Sequence, residues 1–149
     1  MYEFLGKTEA KVDSKGRVFV PAAYRRMLEG AGDACLYMRV DAKTKCAKLY
    51  PSTEWEKLVE QLDAKLNLWN PEDVKLKRQF TSSFEMIELD ASGRVLLQKK
   101  VLDKIGVEAE ALFVGMGNYF EIWKNETLEE DLMTDEDFDA ALQAKMCGL

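Results

Sequence analysis

Two copies of one short motif hold the residues of this 149-residue sequence that are best suited to chemistry. Residues 13–18 read Asp-Ser-Lys-Gly-Arg-Val, and residues 90–95 read Asp-Ala-Ser-Gly-Arg-Val. In such a motif the Asp side chain can accept hydrogen bonds from backbone amides two residues on, and the Gly can adopt a positive φ, so each copy predicts a tight turn. The turn sets the following Arg beside a carboxylate, where its guanidinium could bind a phosphate or a base edge.

Much of the usual catalytic chemistry is excluded because the sequence contains no histidine. Ser-His-Asp and Cys-His sites, imidazole acid–base chemistry and His-containing metal sites cannot form. Cys35, Cys46 and Cys147 are widely spaced and lack a Cys-x-x-Cys pair, so they predict neither a disulfide framework nor a zinc site. Carboxylate and lysine chemistry stays open, but no pair at a telling spacing supports it. We therefore expect a protein that binds and has no catalytic residue, metal or cofactor.

The net charge of −6 at pH 7 is unfavourable for binding nucleic acid, but the charge is unevenly distributed. Of the 21 Lys and Arg residues two follow Trp123, and of the 27 Asp and Glu residues eight do, which leaves nineteen of each in residues 1–123. Residues 1–26 hold six cations and three anions. This local excess predicts a basic patch around the first turn.

The motif belongs to a longer internal repeat that must position both turns. The offset of 77 residues between the two motifs also relates Leu28 to Ile105 and Leu36 to Phe113. Each copy predicts a strand, the turn, a second strand, a short helix and a hairpin. Since a unit of about forty residues cannot build an adequate core alone, we expect the two copies to pack as a pseudo-dimer.

Helices are predicted between the copies and after the second one. Thr53-x-x-Glu56 matches a capping box, and Asn70 before Pro71 marks the start of another helix. Thr134 is expected to cap an acidic helix near the C-terminus. The apolar stripe of the first helix is expected to be core: Trp55, Leu58, Leu62 and Leu66.

These turns and their surroundings resemble the MraZ family. Besides the duplicated turn, the resemblance rests on Val-Phe-Val-Pro (18–21), Leu-Tyr-Pro-x-x-Glu-Trp (49–55), Val-Gly-x-Gly-Asn (114–118) and Phe-Glu-Ile-Trp (120–123), and it covers roughly residues 1–130. It implies a β-rich α+β fold of two swapped-hairpin domains of the AbrB/SpoVT type, which form a pseudo-symmetric intertwined barrel with connecting and C-terminal helices.

The resemblance and the repeat together predict four segments. We expect the first SpoVT-AbrB-like domain over residues 5–52, a helical connector over 53–81 and the second domain over 82–125. An acidic helical tail is expected over 126–149, and its part beyond about residue 130 is expected to lie outside the resemblance. Its anions could compete with DNA for the basic turns, or serve only to keep the protein soluble.

The function implied by the resemblance is that of a bacterial transcriptional regulator. Such a protein assembles as a homo-oligomeric ring and binds double-stranded DNA at short direct repeats upstream of the division and cell-wall gene cluster, usually its own promoter included, and typically represses it. We expect no membrane or small-molecule partner. Because no apolar run approaches the eighteen or so residues of a membrane span and no signal peptide is evident, we expect a cytoplasmic protein. The resemblance implies that it is associated with the nucleoid.

Cations in and near the turns form the candidate interface. For the residues of the turns themselves, this role is implied by the resemblance to the family. The side chains expected to contact DNA are Lys11, Lys15, Arg17, Arg25 and Arg94. The residues expected to orient the turns are Asp13, Gly16, Asp90 and Gly93. Because Ser92 stands where the first turn has Lys15, we expect the first turn to carry more of the electrostatic affinity.

Two alternatives remain open. An oligomeric protein-interaction scaffold would use the turns only to build its interface, with Arg17 and Arg94 paired to Asp residues of the turns. It predicts that any DNA binding has a shallow salt dependence and no sequence preference. An enzymatic function is the weakest alternative.

Overall fold

Strands and helices alternate along residues 2–147, the part of the chain that this computed structural model describes. The strands are β1 (Lys7–Lys11), β2 (Arg17–Phe19), β3 (Cys35–Asp41), β4 (Cys46–Pro51), β5 (Glu85–Glu88), β6 (Arg94–Leu96), β7 (Glu110–Gly115) and β8 (Phe120–Trp123). The helices are α1 (Ala22–Gly30), α2 (Ser52–Asp63), α3 (Pro71–Ser82), α4 (Lys99–Ile105), α5 (Asn125–Asp131) and α6 (Asp135–Met146). This mixture of helices and antiparallel strands confirms the α+β class.

The internal repeat is visible in the order of the elements. In both halves of the chain, two strands are followed by a short helix, two more strands and two further helices. The helices α5 and α6 therefore follow the second unit as α2 and α3 follow the first. In element order, the acidic C-terminal segment corresponds to the segment that holds α2 and α3. Its last two residues, 148 and 149, lie outside the described residues.

Six strands form one antiparallel sheet in the order β1-β7-β8-β4-β3-β5. β1 of the first unit pairs with β7 of the second, with Lys7 opposite Val114. β5 of the second unit pairs with β3 of the first, with Cys35 opposite Glu88. Each unit thus adds its first strand to the hairpin of the other, and the strands of the two units are intertwined.

The other two strands, β2 and β6, form a short antiparallel ribbon. Val18 lies opposite Val95 at its centre, and both side chains are fully buried. A bridge between Val12 and Val18 links the ribbon to the end of β1. Because β2 and β6 each begin at one of the two turns and run antiparallel, the turns lie at opposite ends of the ribbon.

A hydrophobic core shared by both halves supports the ribbon. Related positions are buried in both copies, as Leu28 and Ile105 show with an exposed fraction of 1% each. Phe4 packs edge-on against Phe120, with ring centroids 5.0 Å apart. Burial of each such side chain contributes about 2 to 3 kcal/mol, so the core couples the first strands of the chain to the last.

The start of α2 differs from the predicted capping box. Pro51 occupies the N-cap position, and no side chain caps the helix from within its own first turn. Instead, the backbone N and the Oγ of Ser52 donate to the carboxylate of Asp33, at 3.0 and 2.9 Å. An acceptor nineteen residues earlier in the chain has replaced the local one, so the assignment to Thr53 and Glu56 was wrong.

The other helix starts agree with the sequence. The Asn70 side chain accepts a hydrogen bond from Glu72 N at 3.0 Å, and Thr134 Oγ1 accepts one from Asp137 N at 3.2 Å. The apolar stripe of α2 is not core, because no residue of α2 is fully buried; Trp55 instead stacks on Tyr37 at the surface of the sheet, with centroids 4.3 Å apart. Across residues 2–147, no helix has the length and apolar character needed to span a membrane.

Candidate nucleic-acid interface

The first turn is organised by Asp13. Its backbone carbonyl accepts from Gly16 N at 3.0 Å, and its backbone N donates to the carbonyl of Arg17 at 2.9 Å. Its Oδ1 accepts from the backbone N atoms of Lys15 and Arg17, both at 2.9 Å. Gly16 has a φ of +89°, which a residue with a Cβ rarely adopts. These hydrogen bonds and this φ define the backbone of the first turn.

The second turn repeats this geometry. Gly93 N donates to the carbonyl of Asp90 at 3.0 Å, and Asp90 N donates to the carbonyl of Arg94 at 2.8 Å. Asp90 Oδ1 accepts from the backbone N atoms of Ser92 and Arg94, both at 2.9 Å. Gly93 has a φ of +86°. The two turns have the same backbone hydrogen bonds although one has Lys15 where the other has Ser92, because neither side chain takes part in these bonds.

Each turn also orients the arginine that follows it. Arg17 Nε donates to Asp13 Oδ2 at 2.7 Å, and Arg94 Nε donates to Asp90 Oδ2 at 2.9 Å. The backbone and side-chain hydrogen bonds from Arg17 lower the pKa of Asp13 to about 2, and equivalent bonds from Arg94 lower the pKa of Asp90. Both carboxylates are thus ionised at neutral pH and hold their arginines through a single nitrogen. Within residues 2–147, neither arginine makes a further side-chain hydrogen bond, so its Nη donors remain for a ligand.

The two arginines lie on one face of the β2–β6 ribbon. Strand alternation sends Val18 and Val95 into the core and places the residues on either side of them on the outer face. That face carries Arg17, Phe19, Arg94 and Leu96. The apolar pair is about half exposed, and the Arg94 guanidinium lies 5.6 Å from the centre of the Phe19 ring. We call these four residues the ribbon face.

Each turn lies against the short helix of the other unit. A cleft of about 440 Å³ separates the first turn from α4 and is lined by Lys15 and Lys99, among other residues. A cleft of about 410 Å³ separates the second turn from α1 and is lined by Ser92 and Arg25, among others. The predicted basic patch around the first turn is therefore divided: Arg25 lies beside the second turn, because the units exchange strands.

The remaining predicted cations lie at the edges of the first turn. Lys15 is exposed within the turn itself, where only its backbone N is bonded. Lys11 ends β1 just before the turn and is exposed opposite Glu110 of β7. The sequence reasoning missed Lys99, which comes to the first turn from the other unit, and the exposed apolar pair of the ribbon face. The 77-residue offset relates Phe19 to Leu96 and could have indicated their common position.

The cysteines offer little for a metal or a covalent intermediate. Burial raises the pKa of Cys46 to about 11 and also raises the pKa of the half-buried Cys35, so both thiols are protonated at neutral pH. Cys147 is exposed. Within residues 2–147, no three or more Cys, Asp or Glu side chains converge in an arrangement suited to a metal ion.

Comparison with known proteins adds an independent observation. A family model described as "MraZ protein, putative antitoxin-like" matches residues 4–79 and, again, residues 82–146. The chain is 40% identical to the transcriptional regulator MraZ of Phocaeicola vulgatus, over 96% of this chain and 93% of that protein. It is 38% identical to the regulator of the same name from Bacteroides thetaiotaomicron, over 98% and 94%, and 31% identical to that from Pectobacterium carotovorum, over 94% and 91%.

Both family matches extend through the helices that follow each unit. The second match ends at residue 146, so it includes α5 and α6. The expectation that the acidic tail lies outside the resemblance was therefore wrong. Its helices carry no short motif comparable to the turns, so a resemblance based on motifs extends only to about residue 130.

Proposed function

This chain belongs to the MraZ family, and we propose on that premise that it regulates transcription by binding double-stranded DNA. More specifically, we propose a repressor that binds short direct repeats upstream of the division and cell-wall gene cluster, its own promoter included. Such a protein would work in the cytoplasm, on the nucleoid. The relatives described above are named transcriptional regulators, which supports the regulatory role.

The observation that carries the proposal is the ribbon face, which holds Arg17 and Arg94 at its two opposite ends. Each guanidinium is oriented through Nε by its own Asp, which leaves its Nη donors for a phosphate or for the O6 and N7 atoms of a guanine. The major groove of DNA is wide enough to admit a two-stranded ribbon. In this proposal residues 5–52 and 82–125 are the two DNA-binding domains, joined by the segment 53–81 and followed by the segment 126–149.

Self-association would raise the affinity of so small an interface. Direct repeats present the same sequence in the same orientation, which suits identical subunits joined head to tail in a ring. Several weak contacts on consecutive repeats then combine through their effective concentration. Apolar side chains that this chain leaves at least half exposed are available for such contacts: Trp69, Phe138 and Met146.

Charge reversal at the turns tests the proposal. In a gel-shift titration on DNA from upstream of the gene, Arg17→Glu and Arg94→Glu should each weaken binding on the order of 10- to 100-fold, because each removes a contact and places a second anion beside an Asp. Arg78→Glu makes the same change at an exposed position on α3 and should have little effect. Unchanged affinity for both turn variants would overturn the proposal.

The scaffold function remains a second candidate because the turns do hold their own arginines. The ion pairs of Arg17 with Asp13 and of Arg94 with Asp90 are what that function requires. The dependence of DNA affinity on salt separates the two. Several phosphate contacts give a steep slope of log K against log salt, together with a preference for the upstream DNA over a shuffled sequence of equal length. A scaffold gives neither.

A further inference from the structure

We propose that the two DNA-contacting turns are not equivalent readers, because the second turn takes its cation from the other half of the chain. Arg25, on α1 of the first unit, would work with Arg94 at the second turn. Lys15 would supply the cation of the first turn from within that turn. This inference rests on the proposed function and specifies which residues act together within it.

The Arg25 side chain lies directly on the backbone of the second turn. A Cβ built on Gly93 would collide with Cδ of Arg25 and would lie 2.9 Å from its Nη1. Such proximity is possible only because residue 93 has no side chain. Arg25 also lines the cleft that holds Asp90 and Ser92. Its guanidinium is therefore beside the second turn, although 65 or more residues separate it from that turn along the chain.

Two hydrogen bonds fix this position. Arg25 Nε donates to the carbonyl of Val20 at 2.9 Å, and Val20 N donates to the carbonyl of Gly93 at 3.1 Å. Val20 thus links the arginine to the turn on which it lies. Arg25 is held through Nε, as Arg17 and Arg94 are. In the part of the chain that the structure describes its Nη atoms make no hydrogen bond, so they are available to an anion at the second turn.

At each turn, a side chain from the short helix of the other unit lies against the glycine, and we call this position the socket. The socket of the first turn holds a different residue from that of the second. Leu97 N donates to the carbonyl of Gly16 at 2.8 Å, as Val20 does to Gly93. The residue related to Arg25 by the 77-residue offset is Leu102, whose Cδ1 would lie 3.5 Å from a Cβ on Gly16. A leucine therefore fills this socket where the turn has its own Lys15, and an arginine fills it where the turn has Ser92. Leu102 fills its position by packing alone, whereas Arg25 also donates to Val20 through Nε and has its Nη atoms available for another role.

The two cations differ in how they bind an anion. Lys15 is exposed on a flexible stem and acts as a point charge, which favours contact with phosphate irrespective of sequence. Arg25 presents a planar fork held in place by the fold, which favours bidentate contact in one geometry. We therefore expect the second turn to be the more selective reader, and the expectation that the first turn dominates the affinity is replaced by a division of roles.

Double-mutant cycles test this pairing on the DNA upstream of the gene. Arg25→Leu copies the residue present in the equivalent socket, so it removes the charge and the hydrogen bond to Val20 while keeping an apolar side chain against the turn. We expect it to weaken binding about 10-fold. Combined with Arg94→Ala it should add little, whereas combined with Arg17→Ala its effect should multiply. Arg26→Leu, at the exposed neighbouring position on α1, is the matched control and should change affinity about 2-fold or less.

A conservative variant separates binding from folding. Arg25→Lys keeps the charge but loses the fork, so it should retain most of the affinity while reducing the preference for upstream DNA over a shuffled sequence. Thermal melting of each variant reports whether the fold is intact. If Arg25→Leu has no effect, or if it couples to Arg17 and not to Arg94, the inference is wrong while the proposed function stands. If Arg17→Ala and Arg94→Ala both leave the affinity unchanged, the proposed function is wrong, and the inference that rests on it is wrong too.

Discussion

At the scale of single residues, the two turns are nearly identical in hydrogen bonding but differ in what surrounds their glycines. Both glycines have a positive φ, so a Cβ at either position strains the backbone. A Cβ on Gly16 would in addition collide with the backbone carbonyl of Leu97, the residue that follows β6. A Cβ on Gly93 would collide with the side chain of Arg25, which can move. The same substitution should therefore have different costs in the two turns.

Replacement of each glycine by alanine tests this difference. We expect Gly16→Ala to lower the free energy of unfolding by about 3 kcal/mol or more, and Gly93→Ala by about 1 to 2 kcal/mol. Gly117→Ala is the control, because Gly117 also has a positive φ but has no atom within 4 Å of where its Cβ would lie. Denaturant titrations give all three values. Equal losses for Gly16→Ala and Gly93→Ala would show that the backbone at Leu97 shifts as easily as the side chain of Arg25 does.

At the scale of elements, Asp33 joins the end of α1 to two distant parts of the chain. Besides the two hydrogen bonds from Ser52 at the start of α2, its carboxylate accepts one from Tyr2 Oη at 3.1 Å. Only 8% of Asp33 is exposed. Desolvation together with this carboxylate raises the pKa of Tyr2, so the phenol stays protonated and remains a donor. One side chain thus positions α2 and the N-terminal segment relative to α1, which carries Arg25.

Removal of that carboxylate should therefore be costly. Asp33→Ala leaves the donors of Tyr2 and Ser52 without their acceptor in a largely buried place, and we expect the free energy of unfolding to fall by about 2 to 4 kcal/mol. Ser52→Ala removes only one of the three hydrogen bonds and should cost about 1 kcal/mol. Thermal and denaturant unfolding measure both. A loss for Asp33→Ala no larger than that for Ser52→Ala would mean that water replaces the carboxylate.

At the scale of the whole molecule, the C-terminal helix α6 buries none of its residues against the rest of the described chain, residues 2–147. Every residue of α6 is exposed, including the apolar Phe138, Leu142 and Met146 at helical spacing. The acidic end of α5, at Glu130 and Asp131, lines a cleft with the loop between β3 and β4 and lies outside the clefts beside the turns. This arrangement favours a role for α6 in contacts between copies over competition with DNA for the turns.

Truncation after Met133 distinguishes these roles. Because no residue of α6 is buried, we expect the free energy of unfolding to change by about 0.5 kcal/mol or less. The mass measured by light scattering should fall, and affinity should fall for DNA with several repeats but not for a single repeat. Replacing the three apolar residues by serine in the full chain keeps the charge and should have the same effect. Tighter binding of the truncated chain at low salt would instead support competition by the acidic tail.

Sequence reasoning succeeded where the interactions are local. The turns depend on hydrogen bonds between residues two to four apart, and the caps at Asn70 and Thr134 on bonds two or three residues apart, so their residue types are sufficient to predict them. It failed at the start of α2, where Ser52 donates to the distant carboxylate of Asp33 and the local capping box does not form. It also misplaced Arg25, because two copies of one pattern do not reveal which helix lies against which turn. The residue-level roles at the interface remain predictions.

The exchange of strands between the units also has a consequence for synthesis of the protein. The partner of Lys7 is Val114, so β1 cannot pair until more than a hundred residues have been translated. The edge of β3 that faces β5 likewise stays unpaired until β5 has been translated. Until then β1, β2, β3 and β4 of the nascent first half each lack the strand partner that the second half supplies, and we expect them to pair either with the second half of the same chain or with that of a neighbouring chain. We therefore expect two polypeptides to become interlocked more often when the local concentration of nascent chains is high.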